Sequence, residues 1–191
     1  MSEFDRLWGT ARNEVFRLQL LNIYADDTRS KDFKDFIEGK PVHYTSNEEA
    51  IAWSNEIAKK RADGVSYINL HVVDLPLSDG IRFGIGYLRF HAKNGMQSRF
   101  VERKDVTGII EGFEDYWMFD RRIVVPVRYN KENLWVGVGD PIRDLDKLAK
   151  YVKLRNELVK MAIPMEDFIR KNNVDLAPSA QKRSRSKSLI L

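Results

Sequence analysis

The stretch from Glu114 to Asp140, EDYWMFDRRIVVPVRYNKENLWVGVGD, constrains the fold more than any other part of the chain. Aromatic and β-branched residues fill three short runs separated by turn residues. This pattern predicts a meander of three strands at residues 115–120, 122–129 and 134–139. Pro126 lies inside the second run and indicates a sheet edge or a bulge, because proline cannot donate a ladder hydrogen bond. The chain is therefore expected to contain an antiparallel sheet segment.

The residues before the meander predict parallel strands instead. Residues 65–73 form an alternating, β-branched run typical of a strand buried on both faces, and residues 97–102 form a second strand. Between them, Ser78 to Asn94 predicts a helix with Ser78 as its N-cap. A strand, a helix and a strand in this order favour a parallel pair with a crossover. Three glycines disfavour the helix by roughly 1 kcal/mol each relative to alanine: Gly80, Gly84 and Gly86.

The other elements follow from capping residues and apolar periodicity: a helix capped by Ser2, a strand at residues 15–24, helices at residues 30–39, 46–63 and 145–161, and a last short helix opened by Pro164. Ser46 and Glu49 have the spacing of a capping box. Residues 104–112 give no clear prediction. Together these elements predict an α/β fold with a single mixed sheet, in which a parallel core is extended by the antiparallel meander and helices pack on the sheet.

Length, composition and charge predict one domain and a tail. A chain of 191 residues, 43% hydrophobic and 31% charged, is in the range of a single globular domain. The formal net charge is +4, and residues 173–191 supply +3 of it. This segment contains one acidic residue, Asp175, and four basic residues: Lys182, Arg183, Arg185 and Lys187. We expect a nearly neutral α/β domain at residues 1–172, followed by a disordered basic tail at residues 173–191.

Several kinds of chemistry are excluded or lack support. The chain has no cysteine, which excludes disulfides, thiolate zinc sites and cysteine nucleophiles. The absence of cysteine makes a cytoplasmic location the simplest expectation. The chain also has no apolar run long enough to span a membrane and no apolar signal core at the N-terminus. His43, His71 and His91 lack metal-ligand spacing, and two of them are expected to pack internally. Glycine-rich phosphate-binding motifs are missing, and we predict no metal, no cofactor and no catalytic residue.

Polar residues cluster where the strand at residues 65–73 ends and the next helix begins: Asp74, Ser78, Asp79 and Arg82. Helix N-termini and the carboxyl ends of strands both favour ligands. The meander adds an aromatic side chain and two charges, a combination suited to stacking on a base-like ligand: Trp117, Asp120 and Arg122. We expect both groups to line one pocket at the carboxyl edge of the sheet. In the alternative, Ser78 only caps the helix, Asp79 pairs with Arg82, and Trp117 belongs to the core.

A second candidate surface is basic. Arg99, Arg103 and Lys104 flank a strand end, where they form a basic rim if Arg121 and Arg122 lie beside them. The tail adds Lys182, Arg183, Arg185 and Lys187. Such a surface would bind nucleic acid weakly and in a salt-sensitive way, through release of counterions. The alternative is a set of ordinary solvated side chains and a solubilising tail.

Three motifs in this order resemble an uncharacterised actinobacterial family known only as a domain of unknown function: PLSDGIR at residues 76–82, DYWMFDRRIVV at residues 115–125 and AIPMEDFI at residues 162–169. The resemblance covers residues 4–170. Genes of that family often lie beside helix-turn-helix regulators. The resemblance therefore implies a regulatory role, with a helix-turn-helix regulator or another protein as partner. The basic tail departs from the usual composition of the family.

The order of the strands, with its final meander and helix, also resembles half of a phospholipase-D-like domain, a fold with non-catalytic versions in bacterial and archaeal regulators. Active members carry a histidine, a lysine two residues later and an aspartate five residues beyond the lysine. His91 and Lys93 have the first spacing, but Ser98 stands in place of the aspartate. The resemblance thus implies a degenerate site without the chemistry of that family.

We therefore expect a non-enzymatic α/β module that binds a small ligand or a protein in regulation. One alternative is an enzyme acting on phosphate or nucleic acid, which would use Asp74, Asp79 and Asp120 with Arg82 or Arg122. The other is direct, weak nucleic-acid binding through the basic rim and the tail. Membrane partners are not expected, and the sequence does not indicate an oligomeric state.

Overall fold

A computed structural model describes residues 2–179, and these contain seven strands. In chain order the strands are β1 (Glu14–Gln19), β2 (Ser66–Val73), β3 (Met96–Glu102), β4 (Tyr116–Phe119), β5 (Ile123–Tyr129), β6 (Trp135–Val138) and β7 (Ile163–Pro164). They form one sheet in the order β6-β5-β4-β1-β2-β3-β7.

The sheet is mixed, as the sequence predicts. Strands β1, β2 and β3 are parallel, with Arg17 paired to Asn69 and Gln19 paired to His71. Strand β4 runs antiparallel to β1, and the meander continues antiparallel through β5 and β6. The short strand β7 pairs antiparallel with β3 at the other edge. The prediction of a parallel core extended by an antiparallel meander is therefore confirmed.

Eight helices surround the sheet in the described residues: α1 (Glu3–Thr10), α2 (Ala25–Arg29), α3 (Lys31–Ile37), α4 (Glu48–Ala62), α5 (Asp79–Ala92), α6 (Arg103–Ile110), α7 (Leu145–Met161) and α8 (Met165–Lys171). The hydroxyls of Ser2, Ser30 and Ser78 accept hydrogen bonds from the first turns of α1, α3 and α5. These caps satisfy backbone donors that have no partner inside the helix.

The two faces of the sheet bury different helices. On one face, Val15, Tyr67 and Trp117 pack with residues of α1, α4, α5 and α8. On the other face, Phe16 and Leu70 pack with α6 and α7. Side chains alternate between the faces of a strand, so neighbouring residues of β1 enter different cores. The face that carries α4 and α5 also holds the candidate site described below.

Asp120 fixes the turn between β4 and β5. The residue has a left-handed backbone, with φ of +50°, a conformation that aspartate tolerates better than most residues. Its carboxylate accepts hydrogen bonds from the backbone N–H groups of Arg12, Asn13 and Glu14 at 2.7–3.2 Å. Burial acts to raise the pKa of Asp120, but these backbone hydrogen bonds outweigh burial and lower the pKa. Asp120 therefore ties the meander to the start of the central strand.

The local predictions depart from the structure at several ends of elements. Asn47, and not Ser46, caps α4 by accepting from the Ala50 N–H at 2.9 Å, whereas the Ser46 hydroxyl donates to the His43 carbonyl. Strand β1 ends at Gln19, because the chain leaves the sheet and enters α2, a helix that the sequence pattern did not indicate. Pro164 precedes α8 as its N-cap and also lies in β7.

Pro126 is not at the sheet edge, since β5 lies between β4 and β6. Its carbonyl accepts from the Gly139 N–H at 2.8 Å, just beyond the last residue of β6. The backbone N–H group that Pro126 lacks would therefore lie opposite the end of β6, where the ladder of hydrogen bonds stops. The register between β5 and β6 shifts at Arg128 and Tyr129, two residues further along.

The C-terminal segment makes contacts with the domain beyond the predicted boundary at residue 172. Val174 and Leu176 pack against the core on the α5 face. The Ser179 N–H and hydroxyl both donate to the Asp79 carboxylate at 3.0 Å. These contacts differ from the disordered tail expected from residue 173 onward. The four basic residues assigned to that tail, Lys182, Arg183, Arg185 and Lys187, lie outside the described residues.

A chain ending at residue 172 should be less stable than a chain ending at residue 179. The shorter chain loses the apolar contacts of Val174 and Leu176, a loss of about 1–3 kcal/mol in free energy of unfolding. Urea unfolding of the two chains measures the difference. Val174→Ser with Leu176→Ser in the longer chain should reproduce most of it, and equal stability of all three chains would show that these contacts contribute nothing.

Asp120→Asn should lower the free energy of unfolding by about 1–2 kcal/mol at pH 7, because asparagine keeps the turn but removes the charge from three hydrogen bonds. A carboxylate whose pKa is lowered by folding stabilises the fold above its unfolded pKa of about 3.9. This contribution is lost as the pH falls through the folded pKa, so the difference between variant and wild type should shrink in acid. The exposed Glu111→Gln is the control. Equal urea midpoints for Asp120→Asn and wild type at pH 7 would contradict the role of Asp120.

Candidate functional site

A cavity of about 880 Å³ lies between the sheet and helices α2, α4 and α5. Strands β1, β2, β4, β5 and β6 each place at least one side chain on it. Half of its 22 lining residues are aromatic or aliphatic, nine are charged or polar, and two are glycines. A large cavity that combines aromatic and aliphatic walls with polar groups is suited to binding a small molecule.

Arg17 lies at the base of this cavity. It occupies the central strand β1 and lies over Trp117, with the guanidinium carbon 4.7 Å from the centre of the ring. Its Nε is buried and has no hydrogen-bond partner among the described residues. No carboxylate of residues 2–179 lies within ion-pair distance of it. An arginine stays protonated in proteins, so the cavity contains a fixed positive charge.

Two buried histidines also line the cavity. His71 is 6% exposed and His91 is 8% exposed. Both ring nitrogens of His71 and Nδ1 of His91 are without hydrogen-bond partners in the part of the chain that the structure describes. Burial, with a smaller contribution from Arg17, lowers the pKa of His71 to about 3, and burial lowers the pKa of His91 to about 4. Both rings are therefore neutral at physiological pH, and each has an unused donor or acceptor.

Asp115 binds two tyrosines that line the cavity beside Arg17. Its carboxylate accepts from the Leu20 N–H at 2.7 Å and from the hydroxyls of Tyr24 and Tyr129 at 2.9 and 3.0 Å. Burial raises the pKa of Asp115, and the Leu20 hydrogen bond, the nearby charge of Arg17 and the two tyrosine hydroxyls oppose the effect only in part. The carboxylate accepts from three donors and interacts with the charge of Arg17, but it does not lie within ion-pair distance of Arg17.

The glycines of α5 explain why the cavity exists. Gly84 lines it, and a Cβ atom at this position would meet no atom within 4 Å. Gly86 instead lies under the Tyr44 ring, where a Cβ atom would approach a ring carbon to 2.1 Å. Glycine destabilises a helix, but at Gly86 it permits close packing of the Tyr44 ring. At Gly84 the missing side chain leaves open space in the cavity.

The rim of the cavity is acidic and carries an exposed tryptophan. Asp26, Asp27 and Glu49 line the cavity and are exposed. Trp135 is 58% exposed, and its backbone N–H donates to the Asp26 carboxylate at 2.8 Å. This contact joins β6 to α2, so the rim is held by backbone as well as by side chains.

The four predicted polar residues at the carboxyl edge of the sheet are occupied locally. Ser78 caps α5, and Asp79 accepts from Arg82 Nη1 at 2.8 Å. Arg82 is 6% exposed and also contacts Ser179. Asp74 pairs with Arg103 at 3.2 Å and accepts from the Asn22 side chain. These contacts are the local alternative that the sequence already suggested.

Trp117, Asp120 and Arg122 do not converge with that group. Strand β4 is antiparallel to β1, so its last residues lie at the amino ends of the parallel strands. Asp120 and Arg122 are therefore at the opposite edge of the sheet from Asp74 and Asp79. Trp117 is 5% exposed and stacks with Tyr67 at 5.9 Å, while Arg17 covers it as well. The predicted pocket formed by these seven residues is therefore wrong in its geometry, although Trp117 does line the cavity.

The predicted basic rim is also divided among local partners. Arg99 donates to the Ala162 carbonyl at 2.5 Å, Arg103 donates to the Leu20 and Val72 carbonyls, and Lys104 pairs with Glu102 at 2.7 Å. Arg121 interacts with Glu14 near the amino ends of the strands. The described residues thus do not form one continuous basic surface from these side chains.

Sequence reasoning missed Arg17, Gln19 and His71, although a signal was present. Arg17 and Gln19 follow Val15 at every second position of β1, alternating with the apolar Phe16 and Leu18. His71, like Asn69, is a polar residue in a strand that is otherwise mainly apolar and buried on both faces. Polar residues on one face of two neighbouring central strands are rare without a partner or a ligand, because burial of an unpaired polar group is costly.

A family model described as "Domain of unknown function (DUF6879)" matches residues 2–170. The chain belongs to this family. The match confirms the resemblance to a domain of unknown function that the three motifs suggested. An actinobacterial source and a neighbouring helix-turn-helix regulator stay predictions.

Comparisons with other proteins add a likeness in shape. No curated protein matches the chain. Among solved structures, NucT from Helicobacter pylori aligns with a TM-score of 0.45 at 14% identity, over 85% of this chain and 90% of that chain. The resemblance to half of a phospholipase-D-like domain stays a prediction. Its expected histidine, His91, lies in α5 and is buried.

Two absences among residues 2–179 bear on the site. No helix in this range has the length and apolar character needed to cross a membrane. Within the same range, no three histidine, aspartate or glutamate side chains are grouped so that they could hold a metal ion.

The wild-type protein should lose stability between pH 6.5 and pH 4 more steeply than His71→Gln. Folding lowers the pKa of His71 to about 3, so the unfolded chain takes up a proton first as the pH falls. Stability is then lost below about pH 6.5, by up to about 1.4 kcal/mol per pH unit for one histidine. Urea unfolding at several pH values measures the slope. The exposed His43→Gln should keep the wild-type slope, and a His71→Gln slope equal to that of the wild type would contradict the burial of a neutral ring.

Proposed function

We propose that the chain is a small-molecule-binding module that acts in regulation, and that its ligand occupies the cavity between the sheet and helices α2, α4 and α5. One observation carries this proposal: Arg17, His71 and His91 all place buried polar atoms without partners on the same cavity. A buried donor or acceptor left without a partner costs about 1–3 kcal/mol. Such groups call for an explanation, of which a bound ligand is one.

The groups around the cavity are held in place before any ligand arrives. Asp115 accepts hydrogen bonds from the hydroxyls of Tyr24 and Tyr129 and from the Leu20 N–H, and the Trp135 backbone N–H donates to Asp26. The Ala25 N–H donates to the Asn133 carbonyl at 3.1 Å, which adds a second link between α2 and the β6 hairpin. A pre-formed site loses less entropy on binding than a site that must order itself.

Binding is favoured over catalysis by the state of the two histidines. A general base works best when its pKa is near the working pH. The pKa of His71 is lowered to about 3 and that of His91 to about 4, so both are weak bases at neutral pH. Their neutral rings are better suited to hydrogen bonding with a ligand.

The other two expected functions have less support. Asp74 and Asp79 are each paired with an arginine at one edge of the sheet, while Asp120 binds backbone N–H groups at the other edge. These three carboxylates therefore do not form a common site. The basic residues of the described rim are engaged locally, and the basic tail lies outside the described residues.

A regulatory partner remains part of the proposal. The family resemblance suggests a helix-turn-helix regulator or another protein. Trp135 and Val136, exposed by 58% and 60%, lie on the edge strand β6, and Trp135 also lines the cavity. A ligand that contacts Trp135 would therefore change a surface that a partner protein can bind.

Filling the cavity should abolish ligand binding without unfolding the protein. Gly84→Leu adds a side chain where a Cβ atom meets no neighbour, and replacing glycine inside a helix raises stability by up to about 1 kcal/mol. The control is Gly108→Leu, since Gly108 lies in α6, has equally free space and does not line the cavity. Both variants should have melting temperatures at or above that of the wild type.

Two measurements check this prediction. Small molecules that co-purify with each protein are identified by mass spectrometry after denaturation, and a varied compound library is screened by thermal shift. Wild type and Gly108→Leu should share ligands that Gly84→Leu lacks. If the three proteins carry the same molecules and respond equally to the library, the cavity does not bind small molecules.

A further inference from the structure

We infer that the cavity selects an aromatic ligand carrying a single carboxylate, and that Arg17 binds this carboxylate. The inference rests on the proposed function, since it names the class of ligand for the same cavity. Three features of the cavity support it: the charge at its base, the charge at its rim, and the surface between them.

The base of the cavity offers one cation. Arg17 is the lining residue with a permanent positive charge, and its Nε lacks a partner in residues 2–179. Its neighbours include the neutral side chains of Tyr24, Tyr67 and Tyr129, and Arg17 also interacts with the Tyr129 hydroxyl. Asp115 is near enough to interact with Arg17 but is bound to three donors. A guanidinium matches a carboxylate in shape and can bind it through two parallel hydrogen bonds.

The rim limits the negative charge that the ligand can carry. Asp26 and Glu49 line the cavity on its exposed side, and Asp27, whose pKa is raised by burial, lies near enough to Arg17 to interact with it. A phosphate monoester carries nearly two negative charges at neutral pH, and one arginine would not offset their repulsion from three carboxylates. A single carboxylate bound to Arg17 meets less of this repulsion than a dianion does. The charge pattern therefore favours a monoanion over a phosphate.

The surface between base and rim suits an aromatic body. Trp53, Phe83, Tyr87, Tyr129 and Trp135 all line the cavity. Aromatic side chains contact flat apolar ligands through offset-stacked and edge-to-face arrangements. The neutral His71 and His91 add hydrogen-bonding groups without adding charge. The cavity also has room for a two-ring ligand, because drug-sized sites range from about 300 to 1,000 Å³.

Four probes with one ring system separate the contributions of the head group: naphthoate, naphthamide, naphthyl phosphate and naphthylmethylamine. They carry a carboxylate, a neutral amide, a phosphate and an ammonium group. Isothermal titration calorimetry at pH 7 measures their affinities for the full chain. We expect naphthoate to bind the wild type about tenfold or more tightly than the other three, as a charge-assisted pair requires.

Variants of Arg17 test whether this residue sets the preference. Arg17→Met keeps the apolar stem over Trp117 but removes the charge, so naphthoate should bind no more tightly than naphthamide. Arg17→Lys keeps the charge and should retain part of the preference. Arg122→Gln is the control, because Arg122 is exposed at the far edge of the sheet, and it should behave as the wild type. If Arg17→Met fails to fold, the wild type and Arg17→Lys still decide the result.

Failure of this inference differs from failure of the proposed function. If naphthamide, naphthyl phosphate or naphthylmethylamine binds as tightly as naphthoate, or if Arg17→Met keeps the preference, the ligand class is wrong. Binding that Gly84→Leu abolishes would still support the proposed function in that case. If no probe binds the wild type at millimolar concentration, the inference is also overturned. The co-purified molecules and the compound library then decide the proposed function independently.

Discussion

The antiparallel pairing of β1 with β4 decides which residues of this protein can act together. Strand β1 lies between the parallel core and the meander, so the direction of β4 determines where each end of the meander lies. The first residues of β4 lie beside the end of β1, and Asp115 accordingly accepts from the Leu20 N–H. The last residues lie beside the start of β1, where Asp120 binds three backbone N–H groups. One pairing therefore builds the wall of the cavity and separates Asp120 from the other carboxylates.

Most of the fold follows from signals that act within a few residues. The long helix at Leu145–Met161 has the predicted bounds, and Ser2 and Ser78 cap helices as their positions suggested. Strand β2 is buried on both faces, as its β-branched, mainly apolar run indicated. Errors occur where distant contacts decide the outcome. The strand β7 exists only because Ile163 and Pro164 meet β3, and no local pattern in two residues can show this.

The site was harder to predict than the fold, because the direction of each strand decides which side chains meet at one place. The sequence placed charges at the ends of strands, but it did not say at which edge of the sheet the meander strands end. Trp117 looked like an exposed aromatic beside charges, whereas it is buried between Arg17 and Tyr67. The residues that line the cavity were instead visible as polar interruptions in buried strands. Their shared face becomes evident only from the register that pairs Gln19 with His71.

Strand β1 itself offers an internal comparison for the role of Arg17. Glu14, on the same strand, is 8% exposed, and its carboxylate is bound by Arg155, with Nε at 3.1 Å, and is approached by Arg121 at 3.4 Å. The chain thus supplies two arginines to one buried glutamate. Three residues later it supplies no carboxylate at ion-pair distance to Arg17 within the described residues, although Asp115 and Asp27 are near. Burial acts to lower the pKa of Arg17, but the nearby tyrosines and Asp115 raise it, so the charge is partly stabilised within the protein. Its Nε nevertheless has no hydrogen-bond partner in residues 2–179, and its side chain lines the cavity. A strand that pairs one charge so closely, and leaves a donor of the next facing a cavity, favours a ligand that binds there.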